Sequence, residues 1–324
     1  MACAGSTPKC YEQFESTVPN VKTEMLYPDF WIKDGAEKVL MTESEISEFN
    51  QRLSKKCPVL IDLEQYPASV TKEKLLDLIK GISKISEERL FDIKGELLPS
   101  QYLTDLIENL NTNGVEDVIP VRFGLAVRRT EMRRLPGAER VFDEPCDYEF
   151  DCFMETAVYP AEPLVILHTS KDGKWYFAQI YNYLAWIPAA DVAMGSREAV
   201  FGFANHKPFL VITGSRVHTN YNPFDESTSE LPLYMGVRLP LASREEIPAN
   251  VNNHNPAGNF VVKLPVRDAL GNLATQLAFI PRTRDVSLGY LPYTTENVLK
   301  QVFKAQGERY GWGGMFNARD CSAL

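Results

Sequence analysis

The sequence LVILHTSKDGKWYFAQI, residues 164–180, places two runs of strand-forming residues on either side of a polar tetrapeptide. The runs Leu164–Leu167 and Trp175–Ile180 are rich in β-branched and aromatic side chains, which favour strands. Asp172-Gly173 lies between them, and Asp-Gly is a pair that accepts positive φ at both central positions of a two-residue turn. The stretch therefore predicts a tight β-hairpin.

Further strands are predicted on both sides of this hairpin. Residues Val121–Val127 alternate after Pro120, as a half-buried strand does, and Tyr183–Ile187 forms a short apolar run before Pro188. Short strands separated by turns predict a small barrel of about 70 residues. A second set follows, with a turn at Gly271-Asn272, and predicts a second small barrel: Phe209–Thr213, Leu233–Leu239, Phe260–Leu264 and Leu277–Ile280.

Helical patterns flank the two predicted barrels. Thr42 with Glu45 three residues later is typical of a capped helix start, and Thr71 precedes a second helix with Leu75, Leu76 and Ile79 on one face. A third helix carries Leu103, Leu106, Ile107 and Leu110 and is expected to end at Asn113-Gly114. After Thr294 an apolar stripe, Val298, Leu299, Val302 and Phe303, predicts another helix before Gly307. The predicted fold class is multidomain α+β.

Composition excludes several functions. The 324 residues suggest two or three domains, and 44% hydrophobic with 24% charged residues is typical of a folded protein. A net charge of −9 argues against nucleic-acid binding, and no apolar run is long enough to span a membrane. The basic stretch at residues 128–134, RRTEMRR, is interpreted as a solvated surface.

The six cysteines show no repeated CxxC spacing, so the sequence predicts neither a zinc site nor a disulfide scaffold, and no cofactor is expected. Cys146 and Cys152 could pair, but two free thiols are the preferred interpretation.

The residues around Cys321 make it a candidate nucleophile. Asp320 is a favourable N-cap, which would place the thiol on the first turn of a helix, where unpaired N–H groups favour a thiolate. A cysteine near a chain end is, however, more often a free thiol. The base that a cysteine hydrolase needs is not singled out, because none of His168, His206, His218 and His254 has a carboxylate pattern around it.

The segment GERYGWGG (residues 307–314) followed by RDCS (319–322) resembles the Y-x-W-G-G…D-C-S signature of NlpC/P60 cysteine peptidases. The likeness extends over nearly the whole chain. Residues 30–32 resemble the helical amino-terminal domain of multidomain members, and residues 289–294 resemble the segment that leads into their peptidase domain. Their first bacterial SH3 (SH3b) barrel is resembled by residues 133–136, 162–163 and 183–187. The likeness predicts a flexible segment (1–19), a helical domain (20–119), two SH3b barrels (120–196 and 197–292) and the start of a peptidase domain (293–324).

The resemblance assigns roles to seven residues. It implies that Cys321 is the nucleophile, that Tyr310 stabilises the oxyanion and that Trp312 walls the substrate groove. Asp320 and Ser322 flank the thiol, and Asp320 is expected to bind the free amine of an L-alanyl peptide. In the first barrel Glu162 and Tyr183 best match a Glu and a Tyr that hold the same amine, although Ala185 stands where the family usually has Gly.

The implied function is a γ-D-glutamyl-L-diamino acid endopeptidase acting on L-Ala-γ-D-Glu-diaminopimelate-like peptides. The family's catalytic His lies beyond Leu324, so the chain is expected to be a truncated and inactive form whose last ~30 residues are poorly packed. The alternative is a non-catalytic SH3b module that binds cell-wall peptides or a protein partner.

The expected location is the bacterial cell envelope if an upstream signal is missing, and the cytoplasm otherwise. Residues 2–5, ACAG, resemble the end of a lipoprotein signal, which makes a lipid anchor at Cys3 possible.

Overall fold

A computed structural model of the protein describes residues 18–85, 89–145 and 147–323. The expectations for Cys3, for Cys146 and for nearly all of the segment 1–19 lie outside these residues. The chain divides into two units, one of Met1–Phe49 with Leu291–Gly307 and the other of Asn50–Tyr290 with Glu308–Leu324.

The helices are α1 (Pro28–Trp31), α2 (Glu43–Lys56), α3 (Lys72–Ile82), α4 (Ser100–Asn109), α5 (Arg197–Ala204) and α6 (Thr295–Phe303). The strands are β1 (Val39–Met41), β2 (Ser69–Thr71), β3 (Val118–Pro120), β4 (Arg122–Ala126), β5 (Thr130–Arg133), β6 (Met154–Val158), β7 (Pro163–Thr169), β8 (Trp175–Gln179), β9 (Leu184–Pro188), β10 (Val192–Gly195), β11 (Phe209–Ile212), β12 (Arg216–His218), β13 (Pro232–Tyr234), β14 (Arg238–Pro240), β15 (Asn259–Arg267), β16 (Leu273–Pro281), β17 (Val286–Leu288) and β18 (Tyr293–Thr294). None of the helices in the described ranges has the length and apolar content needed to cross a membrane.

Side-chain caps begin the helices where the sequence predicts them. The N–H of Glu45 donates to Thr42 Oγ1 at 3.3 Å and the N–H of Thr42 donates back to Glu45 Oε2 at 2.8 Å. Thr71 accepts from the N–H of Lys74 at 3.3 Å at the start of α3. These two starts are confirmed.

Helices nevertheless occupy less of residues 20–112 than predicted. The backbone at 57–68 is irregular, and 89–99 contains only isolated bridges before α4. Helix α4 also ends earlier than expected, because Asn111 adopts a left-handed φ of +56° just beyond its last turn. Asparagine tolerates this conformation well enough to end a helix, so Asn113-Gly114 is not the stop signal.

Seven antiparallel strands between residues 122 and 195 form one sheet in the order β10-β4-β7-β8-β9-β5-β6. The predicted hairpin is confirmed as β7–β8. Its turn is longer than two residues, since the N–H of Ser170 donates to Trp175 O at 2.9 Å and only Gly173, at φ +72°, has positive φ. Strand β6, which the sequence analysis does not identify, lies at one edge of the sheet.

Helices α3 and α4 share one hydrophobic core with this sheet. Leu75 and Ile79 of α3 and Leu106 of α4 belong to the same buried cluster as Phe177 and Trp186. The indole N–H of Trp186 donates to Ser83 Oγ at 2.9 Å, which satisfies the polar atom that a buried tryptophan brings into a core.

Residues 209–288 form three small sheets: β14-β11-β17, β12-β13 and the long hairpin β15-β16. The run Leu233–Leu239 is two strands rather than one, because Gly236 at φ +88° turns the chain between β13 and β14. The predicted turn at Gly271-Asn272 is confirmed between β15 and β16. A second core of leucine, isoleucine and valine side chains fills this region.

The chain beyond residue 293 is packed unevenly. The predicted helix after Thr294 is confirmed as α6, and Thr294 caps it by accepting from the N–H of Asn297 at 3.0 Å, yet no residue of α6 is buried. By contrast Gly313, Gly314 and Met315 are buried. The expectation of poor packing over the last ~30 residues is therefore wrong for residues 311–318, which we call the glycine-rich segment.

Candidate active site

The glycine-rich segment packs on edge strand β6, and only glycine fits there. Gly313 and Gly314 have φ of +57° and +96°, a region that L side chains rarely adopt. A Cβ on Gly313 would lie 2.9 Å from Met154 Cγ, and one on Gly314 would lie 2.6 Å from Ala157 Cβ. The two glycines of the sequence motif thus allow a backbone turn to lie directly against the sheet.

Arg129 holds this turn from the sheet side. Its Nη1 donates to Asn317 Oδ1 at 2.9 Å, and its Nη2 donates to the carbonyl oxygen of Gly314 and, at 3.5 Å, to that of Ala318. The guanidinium also lies over the rings of Tyr159 and Tyr234 at 5.7 and 5.3 Å. One arginine therefore satisfies several acceptors of a segment that has no regular hydrogen-bond ladder.

Met315 anchors the segment in a small core. Its side chain is 0% exposed and clusters with Phe142 and Met154. The backbone N–H of Asp151 donates to its sulfur at 3.4 Å. The segment is thus fixed on both sides, by apolar burial at Met315 and by the guanidinium of Arg129.

The basic stretch at residues 128–134 is not a solvated surface, contrary to the sequence-based interpretation. Arg133 is 2% exposed, and its Nη1 pairs with Asp151 Oδ2 at 2.8 Å. The backbone N–H groups of Val141 and Phe153 donate to the other oxygen of the same carboxylate. Both oxygens of Asp151 and both Nη atoms of Arg133 are hydrogen-bonded, while Arg133 Nε is buried without a partner among the described residues. A buried charge pair needs such partners to be tolerated in a core, and this one supports the loop that lines the candidate site.

Beyond the glycine-rich segment, Asp320 closes a turn around Cys321. Asp320 Oδ1 accepts from the N–H groups of Ser322 and Ala323 at 3.0 and 2.9 Å and from Ser322 Oγ at 2.6 Å. The carboxylate thus accepts the hydrogen bonds that an N-cap would accept, but residues 321–322 form a turn, and the helix that the sequence predicts there is not seen among the described residues. Cys321 and Ser322 are exposed at this turn.

Tyr310 lies next to that turn. It forms a parallel bridge with Arg319, and the N–H of Gly311 donates to Arg319 O at 2.9 Å. Desolvation and the nearby charges of Cys321 and Asp320 raise the pKa of the Tyr310 hydroxyl. The phenol is therefore a protonated donor at neutral pH beside the thiol.

A cavity of about 420 Å³ opens between the glycine-rich segment and the seven-stranded sheet. Trp312 and Asp320 line it from one side and Tyr183 from the other, so three residues predicted as site residues meet here. Phe150 stacks edge-to-face on Trp312 at 5.7 Å and extends the apolar wall. The remaining lining residues are Leu90, Arg134, Asp143, Asp151, Cys152, Phe153, Met154, Glu155 and Gly313.

Glu155 is the acidic residue that accompanies Tyr183. The Tyr183 hydroxyl donates to Glu155 Oε2, and Arg134 Nε donates to Glu155 Oε1 at 2.9 Å. Burial, followed by the hydrogen bond to Glu155, raises the pKa of Tyr183. The sequence analysis missed Glu155, and the signal that could have identified it is the strand-forming run METAV, residues 154–158, with a charged side chain inside it.

Glu162, which the resemblance selected, does not line this cavity. Its carboxylate accepts from the N–H of Tyr159 at 3.2 Å, and burial raises its pKa to about 7. Glu162 precedes β7, whereas the edge strand that faces the glycine-rich segment is β6, so its role in binding an amine stays a prediction.

Within the described residues no hydrogen bond joins Cys321 to a histidine. His168 Nε2 contacts Leu110 O at 3.1 Å and His206 Nδ1 contacts Pro208 O at 3.3 Å, while His254 stacks on Phe279. Cys152, a cavity residue that the sequence analysis did not select, is a free thiol whose pKa burial raises to about 11.

Comparison with known proteins supports the SH3-like nature of the sheet. Residues 140–188 match the family described as SH3 domain (SH3b1 type). No curated protein matches the sequence.

Among solved structures, an NlpC/P60 endopeptidase from Photobacterium damselae subsp. piscicida has a TM-score of 0.70 and 17% identity over 92% of this chain. The match spans 64% of that protein, so this chain covers less than two thirds of it. An NlpC/P60 family protein from Bacillus cereus matches 53% of this chain and 52% of its own, at 18% identity and a TM-score of 0.38. The first likeness is one of fold, and the SH3b domain rests on the family match over residues 140–188.

Proposed function

We propose that this chain recognises short cell-wall peptides with a free amino terminus and belongs to a cysteine peptidase of the NlpC/P60 type. The proposed substrates are L-Ala-γ-D-Glu-diamino acid peptides, cleaved after the γ-D-glutamyl residue. The single observation that carries the proposal is the cavity in which Asp320 and Trp312 meet Tyr183 and Glu155.

The polar groups of this cavity suit an ammonium ion. Asp320, Asp143 and Glu155 contribute three carboxylates against one guanidinium, that of Arg134. An ammonium group has three donors and is held best by several acceptors that are already fixed in place. Glu155 is fixed by Tyr183 and Arg134, and Asp320 is fixed by the turn that it caps. A blocked amine would leave Asp320 without a cationic partner and would remove the second cation beside Glu155, which costs about 1–3 kcal/mol.

The chemistry proposed for the segment after residue 309 is the one that its resemblance to the NlpC/P60 signature implies. Cys321 Sγ attacks the γ-glutamyl carbonyl, and a thioester forms as the diamino acid leaves with a proton on its amine. Tyr310 donates a hydrogen bond to the oxyanion, a role that its protonated phenol can fill. Trp312 and Phe150 exclude water from one wall, and Ser322 helps to hold the turn. The base is not assigned to any of the four histidines.

The wider architecture is part of the same proposal. We assign residues 120–196 and 197–292 to two SH3b-like barrels, the first of which contributes Glu155 and Tyr183 to the site. Because the substrates are cell-wall peptides, we place the protein outside the cytoplasm, with no nucleic acid among its partners.

Calorimetric titration tests the proposal with L-Ala-γ-D-Glu-diaminopimelate and its N-acetylated counterpart. We expect the free peptide to bind about 10–100 times more tightly, in line with the cost of an unpaired carboxylate. Glu155→Gln should lose most of this preference, whereas Glu162→Gln, a matched change outside the cavity, should keep it. Equal affinity for both peptides would contradict the proposal.

A second candidate function is a non-catalytic module that binds the same peptides or a protein partner. The SH3 family match over residues 140–188 favours it, because that match alone covers no catalytic residue. Release of free diaminopimelate by the natural protein, and its loss in Cys321→Ala, would separate the peptidase from the module.

A further inference from the structure

Arg134 lines the candidate cavity, and only part of its guanidinium is hydrogen-bonded to the described residues. Its Nε donates to Glu155 Oε1 at 2.9 Å, and its backbone N–H donates to Phe153 O at 2.8 Å, which places the residue firmly at the cavity wall. The side chain is 36% exposed. Among the described residues, neither Nη atom donates a hydrogen bond to the protein.

The other arginines of the 128–134 stretch are used differently. Arg133 uses Nη1 on Asp151 and Nη2 on Glu139 O, and Arg129 uses both Nη atoms on the glycine-rich segment. Arg128 is exposed and lies 3.4 Å from Asp191. Within this stretch, Arg134 alone lines the cavity, with two Nη atoms available to a ligand.

The positive charge of Arg134 extends across the cavity. Burial raises the pKa of Tyr183 and of Cys152, and Arg134 opposes both increases. Because Glu155 accepts only from Nε of Arg134, the two Nη atoms of the guanidinium remain able to donate to an anion. Arginine presents a planar fork that matches a carboxylate, and such paired hydrogen bonds give geometric selectivity.

We infer that Arg134 is a specificity-determining residue that binds a carboxylate of the same ligand whose amine is held by Asp320 and Glu155. The inference rests on the proposed function. In a γ-linked D-glutamyl residue the side-chain carboxyl forms the peptide bond, so the α-carboxylate stays free. The site would therefore require a zwitterionic peptide end and reject the form in which this carboxylate is an amide.

Two matched peptides test the inference: L-Ala-γ-D-Glu-L-Lys amide and L-Ala-D-isoglutaminyl-L-Lys amide, which differ only in carboxylate against carboxamide. Calorimetry on the full chain carrying Cys321→Ala avoids turnover. We expect the carboxylate peptide to bind at least about tenfold more tightly. Arg134→Gln should abolish the discrimination, Arg134→Lys should restore part of it, and Arg128→Gln should leave it unchanged.

The outcomes separate this inference from the proposed function. Equal affinity of the two peptides, with N-acetylation of either still weakening binding, would overturn the role of Arg134 and leave the amine site intact. Failure of both peptides to bind would overturn the proposed function itself. If folded Arg134→Gln still bound the carboxylate peptide more tightly than the carboxamide peptide, the inference would also be overturned, because another group would then bind the carboxylate.

Discussion

The sequence patterns predict a buried face for helix α6 and no buried side chain in the glycine-rich segment, and the structure shows the reverse. Helix α6 has a clear apolar stripe, yet Val298 and Val302 are each 40% exposed. The glycine-rich segment has no periodicity, yet Met315 is 0% exposed. Periodicity thus identifies the helix but not its packing, whereas the packing of the segment depends on positive φ, the absence of Cβ atoms and one arginine.

The largest effect is expected from Gly314→Ala. The new Cβ would lie 2.6 Å from Ala157 Cβ at a φ of +96°, so overpacking and backbone strain together should lower the free energy of unfolding by about 4 kcal/mol. Urea denaturation measures this. The control is Gly173→Ala, which has φ +72° but no atom within 4 Å, and should cost only about 1 kcal/mol. Equal losses would mean that strain alone, and not the contact with β6, matters.

Met315→Ala should cost about 3 kcal/mol, because it leaves a cavity beside Phe142 and Met154. It should also weaken peptide binding, since Trp312 is held by the same segment. Denaturation and calorimetry on one preparation measure both. If Met315→Ala cost under about 0.5 kcal/mol, the segment would not be anchored by this side chain.

Arg129→Lys should cost about 2 kcal/mol, because an ammonium cannot reach Gly314 O, Asn317 and Ala318 O at once. Arg128→Lys, at the exposed neighbour, should change stability by less than about 0.5 kcal/mol. Comparable losses for the two variants would show that general charge in this stretch, and not the contacts of Arg129, holds the segment.

The smallest effect is expected from Val302→Ser in α6. Because this side chain is 40% exposed, the loss should stay below about 1 kcal/mol, with peptide affinity unchanged. A loss as large as that of Met315→Ala would contradict the contrast between the two regions.

Much of the fold could be predicted from local patterns. Thr42, Thr71 and Thr294 mark helix starts because their side chains cap the backbone directly. The hairpin at residues 164–180 follows from strand-forming runs around Gly173. What local patterns do not contain is long-range pairing: Glu155 is separated from Asp320 by 165 positions in the sequence (320 minus 155), and only the packing of the glycine-rich segment on β6 brings both to one cavity.

The same limit explains why the interpretation of Arg133 is wrong and why a different acid from the one selected lines the cavity. The sequence predicts an exposed Arg133, because its buried partner, Asp151, lies 18 residues away, outside the basic stretch. Glu162 was selected by resemblance to a motif position, whereas Glu155 lies on the edge strand beside Tyr183. The resemblance predicts an acid beside Tyr183, and the acid that accepts the hydrogen bond of the Tyr183 hydroxyl is Glu155.

A double-mutant cycle between Asp320 and Glu155 tests most directly whether two distant segments form one amine-binding site. The affinity of L-Ala-γ-D-Glu-diaminopimelate is measured for the wild type, Asp320→Asn, Glu155→Gln and the double variant. The account predicts that the two changes are coupled, because both carboxylates hold one ammonium. The loss of affinity in the double variant should then be at least about fivefold smaller than the product of the losses in the two single variants. Strictly multiplicative losses would contradict a shared site.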